Sequence, residues 1–282
     1  MKKTAPELRQ MAADGEKITM ITAYDYPSAR AAAAAGVDTI LVGDSLGMVV
    51  LGYDSTVPVT MEDMLHHLKA ARRGAPQTFI ICDLPFMSCA ESGAALRNSA
   101  RLMKEGGADA VKLEGGEDWA PIVRALTKAG APVVGHIGLT PQTAGQLGGF
   151  KVQGRDLEGA RQLLRDALAL EEAGAIMIVL EATPAELAAT ITEKLQIPTI
   201  GIGAGPDPDG QVLVYHDLLG MFDRFTPKFV KQYALLEKEI VGAVKAYCQE
   251  VKEGVFPDNA HSFSMREDVL KDLLETDAFH AS

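Results

Sequence analysis

Polar side chains that could do chemistry follow a series of short apolar runs, each at the point where the run ends. The set combines carboxylates with a lysine, a histidine, a serine and a tyrosine. In parallel α/β folds the carboxyl ends of the strands meet at one edge, which is where active sites form. The candidates are Tyr24, Asp25, Asp44, Ser45, Asp83, Lys112, Glu114, His136 and Glu181.

Several carboxylates at one edge of a fold would repel one another unless a positive charge compensated them. A divalent cation is the natural compensation, and oxygen ligands favour a hard ion such as Mg²⁺. Taken singly, an aspartate after a strand more often caps the next helix or closes a turn. Asp25, which precedes Tyr26-Pro27 and a predicted helix, fits that structural role.

Lys112 and Glu114 alternate with Leu113, so a strand would point both side chains to the same side. Because a lysine is costly to bury without a partner, we expect this side to be the interior of the fold and not the helix layer. A purely structural ion pair between the two residues is the alternative.

Glu181 ends the apolar run Ile176–Leu180. A carboxyl group in such surroundings is desolvated, which suits it to accept a proton as a general base. A helix cap before Pro184 is the structural alternative. His136 is equally suited to donate a hydrogen bond to a developing oxyanion or to brace a loop.

The elements that must position these residues alternate regularly along the chain. Short runs rich in valine and isoleucine indicate buried parallel strands, and longer amphipathic or alanine-rich segments separate them. About eight such alternations favour a closed (β/α)₈ barrel, the TIM barrel, over an open sheet. The predicted strands are Ile18–Ala23, Thr39–Val42, Phe79–Cys82, Ala110–Leu113, Val133–Gly135, Ile176–Leu180, Thr199–Ile202 and, more weakly, Val212–Tyr215.

Further helices are predicted at both ends of the chain. Thr4-Ala5-Pro6-Glu7 reads as a capping box, and Thr226–Lys252 has a helical composition throughout. We therefore predict an α/β fold with one barrel domain over residues 1–282, an N-terminal helix and a helical C-terminal extension. Residues 254–282 form a polar tail. The helices predicted between the strands are Pro27–Ala35, Met61–Arg73, Glu91–Glu105, Trp119–Ala129, Glu158–Ala173 and Pro184–Leu195.

Composition narrows the class of protein. The formal net charge is −11, so the surface should repel phosphate backbones and we expect no nucleic-acid partner. No apolar run approaches the roughly 20 residues that span a bilayer, and the N-terminus lacks the apolar core of a signal peptide. The cysteines are Cys82, Cys89 and Cys248, an odd and sparse set that argues against a disulfide scaffold. We expect a cytoplasmic protein without a membrane partner.

The ordered motifs of the chain resemble those of the ketopantoate hydroxymethyltransferase family over roughly residues 1 to 265. Such a number of motifs in the family's order makes a chance resemblance improbable. The matching segments are Thr22-Ala23-Tyr24-Asp25, Val42-Gly43-Asp44-Ser45-Leu46-Gly47, Asp83-Leu84-Pro85-Phe86, Val111-Lys112-Leu113-Glu114-Gly115-Gly116, Gly135-His136-Ile137-Gly138-Leu139-Thr140-Pro141-Gln142, Gly149-Phe150-Lys151-Val152-Gln153-Gly154 and Ile200-Gly201-Ile202-Gly203-Ala204-Gly205.

The resemblance implies a barrel related to the phosphoenolpyruvate mutase and isocitrate lyase group. It also implies transfer of a hydroxymethyl group from 5,10-methylenetetrahydrofolate to 3-methyl-2-oxobutanoate, giving 2-dehydropantoate in pantothenate and coenzyme A synthesis. Mg²⁺ or another divalent ion is the implied metal, and the implied assembly is a homo-oligomer, often a decamer.

The same resemblance implies roles for individual residues. Asp44, Asp83 and Glu114 would belong to the metal site, and Glu181 would accept the proton. The oxo acid would contact Asp44, Ser45, Asp83 and Lys112, and we add His136 to that group.

Two other functions fit part of the pattern. A metal-dependent carbon–carbon lyase or mutase of the same barrel group would need a reactive cysteine near the metal. Cys82 and Cys89 are the nearby candidates, and neither lies in such a motif. A binding barrel without catalytic activity would lack a metal carboxylate or the base, and the sequence has both.

Overall fold

Eight parallel strands hydrogen-bond to one another in chain order and close into a barrel, which confirms the predicted (β/α)₈ fold. The computed structural model describes residues 2–145 and 148–275. The strands are β1 Ile18–Thr22, β2 Thr39–Val42, β3 Phe79–Asp83, β4 Ala110–Glu114, β5 Val133–Gly138, β6 Met177–Glu181, β7 Thr199–Ile202 and β8 Gly210–Leu213.

Helices follow most strands, and those between the strands pack against the outside of the barrel. They are α1 Ala5–Ala13, α2 Tyr26–Ala34, α3 Leu46–Val49, α4 Met61–Gly74, α5 Ser92–Lys104, α6 Ala120–Lys128, α7 Leu157–Glu172, α8 Ala185–Lys194, α9 Tyr215–Leu218, α10 Leu236–Glu253 and α11 Glu267–Glu275. Among the helices described, none combines the length and apolar character that crossing a bilayer requires.

Local signals in the sequence account for several boundaries. The capping box predicted for α1 is present, with the Thr4 backbone N–H donating to Glu7 Oε2 over 2.7 Å. Asp25 is the N-cap of α2 and accepts a hydrogen bond from the Ser28 N–H at 2.8 Å. Its structural role as a helix cap is therefore confirmed.

The eighth strand begins earlier than predicted, at Gly210 and not at Val212, and Tyr215 lies in α9. Gly210 pairs with both Ile18 and Ile200. A β-carbon at Gly210 would lie 2.4 Å from the Ile18 carbonyl oxygen, so the barrel closes on a residue without a side chain. Glycine is a poor strand former, which hid this position from sequence patterns.

The prediction of one helix over Thr226–Lys252 is wrong in its first part, because α10 begins only at Leu236. The residue before a proline is disfavoured in helices, and Pro227 follows Thr226. The Tyr233 N–H donates to the Leu218 oxygen over 2.8 Å and not to a carbonyl of its own segment. Upstream, Arg224 Nη2 donates to the Gly52 oxygen at 2.8 Å. Distant partners therefore hold this segment in an irregular path.

Two apolar layers form the core. One lies between the strands and the surrounding helices. The other fills the barrel, where Leu8 of α1 packs with residues such as Met20, Ile81 and Val134. The polar site described below occupies the opposite, carboxyl end of the strands.

The chain divides into two units after Ala234, and the second unit, from Leu235, holds α10 and α11. A single domain over residues 1–282 stays a prediction. Within the tail predicted for residues 254–282, α11 covers Glu267–Glu275, and residues 276–282 lie outside the described part of the chain.

Candidate active site

A cavity of about 420 Å³ opens at the carboxyl ends of the barrel strands. Every residue for which the sequence suggested a catalytic, substrate or metal role lines it. These residues are Asp44, Ser45, Asp83, Lys112, Glu114, His136 and Glu181. The structure thus brings together side chains that are up to 137 positions apart, and their individual roles stay predictions.

The period of the strands explains why these side chains point inward. In β4, Val111 and Leu113 pack in the layer against the helices, whereas Ala110 packs inside the barrel. Lys112 and Glu114 share the side of Ala110, as the alternation in the sequence predicted. The ladder places Lys112 beside Asp83 of β3 and Glu114 beside His136 of β5.

The carboxylates sit in a buried network with Gln142. Gln142 Nε2 donates to Asp44 Oδ2 at 2.7 Å and to the Leu84 oxygen at 3.0 Å, while its backbone N–H donates to Glu114 Oε2 at 3.0 Å. The Asp44 N–H in turn donates to Asp83 Oδ2 at 3.0 Å. One glutamine therefore orients two of the carboxylates that would hold a metal.

Burial sets the charge of this network. Burial, and then the neighbouring charge of Asp83, raise the pKa of Asp44 to about 7. Burial also raises the pKa of Glu114 well above its usual value, although Lys112 works against the shift. Without a further positive charge, both carboxyl groups therefore hold protons more strongly than a free carboxylate would.

Lys112 provides a buried positive charge among these acids. Its Nζ lies 3.1 Å from Asp83 Oδ1 and 3.2 Å from His136 Nδ1. Burial alone would lower the pKa of Lys112, but Asp83, Glu114 and Asp44 outweigh it and raise the pKa. The ammonium group therefore stays charged and faces the cavity.

His136 lies between this lysine and the acid at the end of β6. Burial, and then Lys112, lower the pKa of His136, so the ring is neutral near pH 7. With Lys112 donating to Nδ1, the hydrogen remains on Nε2. That nitrogen lies 3.3 Å from Glu181 Oε2, and their alignment falls short of a hydrogen bond.

Glu181 stands on a tightly constrained piece of backbone. Its carbonyl oxygen accepts a hydrogen bond from the Leu139 N–H at 2.8 Å. The next residue, Ala182, has a φ of 45°, a left-handed value that is uncommon outside glycine. Strain of this kind persists only where the surroundings impose it, and it often marks functional sites. The backbone that carries the Glu181 side chain is thereby fixed.

Ser45 lines the cavity, and the buried Tyr24 contacts it. The Tyr24 hydroxyl and Ser45 Oγ are 2.8 Å apart, and the Tyr24 ring stacks on His216 with centroids 5.7 Å apart. Burial raises the pKa of Tyr24, so its hydroxyl keeps its proton. The pair can offer a neutral hydroxyl to a ligand.

Reasoning from the sequence missed several residues of the site. Gln142 was part of a recognised motif, but an isolated glutamine carries no chemical signal. Asp217 and Phe222 lie after β8 in a stretch without a recognisable pattern, and they also line the cavity.

The chain was compared with known proteins. A family model described as ketopantoate hydroxymethyltransferase matches residues 2–259. The chain belongs to the ketopantoate hydroxymethyltransferase family. It is an enzyme and a transferase.

Relatives of this hydroxymethyltransferase are similar over nearly their whole length. The 3-methyl-2-oxobutanoate hydroxymethyltransferase of Thermus thermophilus is 60% identical, and the match covers 93% of this chain and 100% of the Thermus chain. That of Moorella thermoacetica is 61% identical, over 92% of this chain and 97% of its own.

Solved structures share the fold at low sequence identity. A phosphonopyruvate hydrolase in complex with oxalate and Mg²⁺ has a TM-score of 0.62 at 15% identity, over 99% of both chains. A 2,3-dimethylmalate lyase, a member of the PEP mutase/isocitrate lyase superfamily, has a TM-score of 0.59 at 18% identity, over 98% of this chain and 96% of its own. At such identities the likeness concerns the fold alone.

Family membership decides against both alternatives weighed from the sequence, the lyase or mutase and the barrel without catalytic activity. The thiols agree with this outcome. Burial raises the pKa of Cys82, and burial together with Glu114 raises that of Cys89 to about 12. Neither thiol is activated as a nucleophile.

Proposed function

We propose that the cavity adds a one-carbon unit from 5,10-methylenetetrahydrofolate to 3-methyl-2-oxobutanoate, giving 2-dehydropantoate for pantothenate and coenzyme A synthesis. The observation that carries the proposal is the pairing of a charged, buried Lys112 with Glu181 across one cavity, in a chain of this family. A cation and a base on opposite sides of His136 suit an anionic oxo acid that must lose a proton.

Lys112 would bind the oxo acid by its negative charge. The ammonium group costs little to reorganise, because the carboxylates around it already hold it in place. Ser45, with its hydroxyl next to that of Tyr24, would donate or accept a hydrogen bond at the substrate. Asp44 and Asp83 would complete the contacts to the oxo acid.

Glu181 would remove the proton from C3, the carbon beside the ketone. The electrons of the C–H bond then move into an enolate, whose developing negative oxygen Lys112 can stabilise. His136 is neutral, and its Nε2 lies 3.3 Å from Glu181 Oε2, so a small rotation would let it donate a hydrogen bond to the carboxylate.

The enolate carbon then forms a bond to the one-carbon unit, which leaves the nitrogen atoms of the folate. The overall reaction consumes one water molecule, whose oxygen becomes the new hydroxyl group, and it returns tetrahydrofolate. Holding both substrates in one cavity removes much of the entropic cost of their encounter.

The residues fit a divalent metal. Asp44, Asp83 and Glu114 are buried side chains with oxygen donors. Within the described residues Asp83 Oδ1 makes no aligned hydrogen bond, although Lys112 Nζ lies 3.1 Å away. In residues 2–145 and 148–275 no group of three acidic, histidine or cysteine side chains is already arranged to hold an ion. Magnesium often takes only one or two carboxylates, with water and substrate as its other ligands. When bound, the ion would polarise the ketone of the oxo acid.

We further propose that the enzyme acts in the cytoplasm as a homo-oligomer, and specifically as a decamer. Apolar side chains exposed on α10 support an assembly, since large exposed apolar surfaces usually mark interfaces. They include Ile240, Val244, Tyr247 and Val251.

The test is the release of tetrahydrofolate from 5,10-methylenetetrahydrofolate, followed with and without 3-methyl-2-oxobutanoate. We expect release that depends on the oxo acid, stops on addition of a chelator and returns with excess Mg²⁺. Release at the same rate without the oxo acid would refute the proposed reaction. Full activity in demonstrably metal-free enzyme would refute the metal site alone.

A further inference from the structure

The cavity has an aromatic part that the steps derived above do not use. Phe150, Phe222, Phe225 and Phe229 all line it. The exposed fractions of Phe150, Phe225 and Phe229 are 57%, 50% and 37%. Exposed phenylalanines gathered at one opening leave an apolar surface in water, which favours a ligand that covers it.

Three of these rings, Phe222, Phe225 and Phe229, belong to the irregular stretch before α10. Phe222 and Phe225 meet edge to face, with centroids 5.6 Å apart. Phe229 packs against Gly203, where a β-carbon would lie 2.6 Å from the Phe229 ring. The absence of a side chain at Gly203 thus provides the space for Phe229. The aromatic wall is built into the fold, and flat rings are its natural ligands.

Asp217 lines the same cavity and has no role in the steps derived above. Within the described residues its carboxylate makes no hydrogen bond and no ion pair. Burial raises the pKa of Asp217 to about 6, so the group is still ionised at pH 7. A half-buried carboxylate without a partner costs free energy, and N–H donors from a ligand would compensate that cost.

Positively charged side chains also line the cavity. Lys151 and Lys228 are exposed and line the cavity. Neither forms an ion pair in the part of the chain that the structure describes. A ligand that fits these groups would therefore carry N–H donors for Asp217, flat rings for the phenylalanines and carboxylates for the lysines.

A reduced folate combines these groups: a pterin with adjacent N–H donors, an aminobenzoyl ring and a glutamate tail. We propose that Asp217 binds the pterin edge of the one-carbon donor through paired hydrogen bonds, with Phe222 and Phe225 against its rings and Lys228 near its carboxylates. This inference rests on the proposed function and assigns the second substrate to particular residues. Asp217 and Glu181 line one cavity, so a folate held by Asp217 would lie beside the oxo acid.

The test uses the full-length enzyme with Mg²⁺ and two probes, tetrahydrofolate and 6-methyltetrahydropterin, which lacks the tail. Calorimetry under exclusion of oxygen gives the Kd of each probe for Asp217→Asn, Lys228→Met and the unchanged enzyme. Asn is the same size as Asp but presents one acceptor and no charge. Asp223→Asn is the matched control, because Asp223 is exposed in the same segment and does not line the cavity.

We expect Asp217→Asn to weaken the binding of both probes by roughly 10- to 100-fold, the effect of losing hydrogen bonds to a charged group. Lys228→Met should weaken tetrahydrofolate by about two- to fivefold and leave the tail-less pterin unchanged. In turnover, Asp217→Asn should raise the KM for the folate far more than the KM for the oxo acid.

An unchanged Kd for tetrahydrofolate in Asp217→Asn would overturn the inference, as would a loss of tetrahydrofolate binding with the pterin unaffected. Circular dichroism and the Kd of the oxo acid show whether the variant is folded. The proposed function fails by a different result, since it requires the unchanged enzyme to release tetrahydrofolate when the oxo acid is present.

Discussion

Replacing Glu181 with glutamine separates proton removal from substrate binding. Glutamine keeps the size of the side chain but cannot accept the C3 proton. The Glu181 carbonyl, which accepts from the Leu139 N–H at 2.8 Å, is untouched by the change. The Glu181 side chain is only 15% exposed, so its neighbours decide whether a neutral amide fits. Because the neighbouring His136 is neutral, the change leaves no buried positive charge of His136 without a partner. We expect the variant to fold normally, with a stability within about 1 kcal/mol of the unchanged enzyme.

The expected loss of rate follows from the role of the group. General-base catalysis contributes typically about 10²- to 10⁴-fold, which corresponds to roughly 3–5 kcal/mol in the activation free energy. Substrate binding should change little, because Lys112 and the acids of the metal site remain. The effect should therefore appear in the rate and not in the Kd.

The assay is the exchange of the C3 proton of 3-methyl-2-oxobutanoate with deuterated water, followed by NMR in the absence of folate. Calorimetry with the oxo acid and Mg²⁺ measures binding in parallel. Glu186→Gln is the matched control, since Glu186 is exposed in the first turn of α8. Near-normal exchange in Glu181→Gln would refute the reasoning and point to another base, such as His136 or metal-bound hydroxide.

The remaining predictions concern the metal site, its support and the assembly. Asp83→Asn should weaken the Mg²⁺-dependent binding of the oxo acid at least about tenfold, measured by calorimetry, because the metal loses a charged ligand. Equal affinity for the oxo acid with and without Mg²⁺ in the unchanged enzyme would contradict this prediction. Gln142→Ala should lower the affinity for Mg²⁺ about 10- to 100-fold, since Asp44 loses the donor that orients it. Gln142→Glu, which has no N–H donor in its side chain, should bind Mg²⁺ no more tightly than Gln142→Ala. The pKa of Asp44 is raised from 3.8 to about 7 in the folded protein, so metal-free enzyme should lose stability as the pH rises from about 4 to about 7. Asp44 should contribute a loss on the order of 4 kcal/mol to denaturant titrations in chelator, and a gain would contradict the sign. Light scattering should report a decamer, and a monomer at micromolar concentration would exclude the assembly.

Much of the fold could be predicted from the sequence because the signals are local. Runs of valine and isoleucine with glycine or polar residues between them fixed the number and order of strands. Within β4 the alternation of Lys112 and Glu114 with apolar residues placed both inside the barrel before any contact was known. Asp25 was recognised as a cap for the same reason, since its partner Ser28 lies only three positions away.

Other features depended on partners that are far away in the sequence. The segment from Thr226 has a helical composition, but Arg224 bonds to Gly52 and Tyr233 bonds to Leu218, and these distant contacts outweigh its propensity. Gly210 closes the barrel because another strand leaves no space for a β-carbon.

The site shows the same division. The types of the reacting residues and their places at the strand ends are properties of the sequence, because a parallel barrel brings all such ends to one face. The link from Gln142 to Asp44, and the meeting of Asp217 with Glu181 in one cavity, exist only once loops after different strands come together. Burial and neighbouring charges, which raise the pKa of Asp44 and lower that of His136, are likewise properties of the closed barrel, since desolvation depends on what surrounds a group in three dimensions.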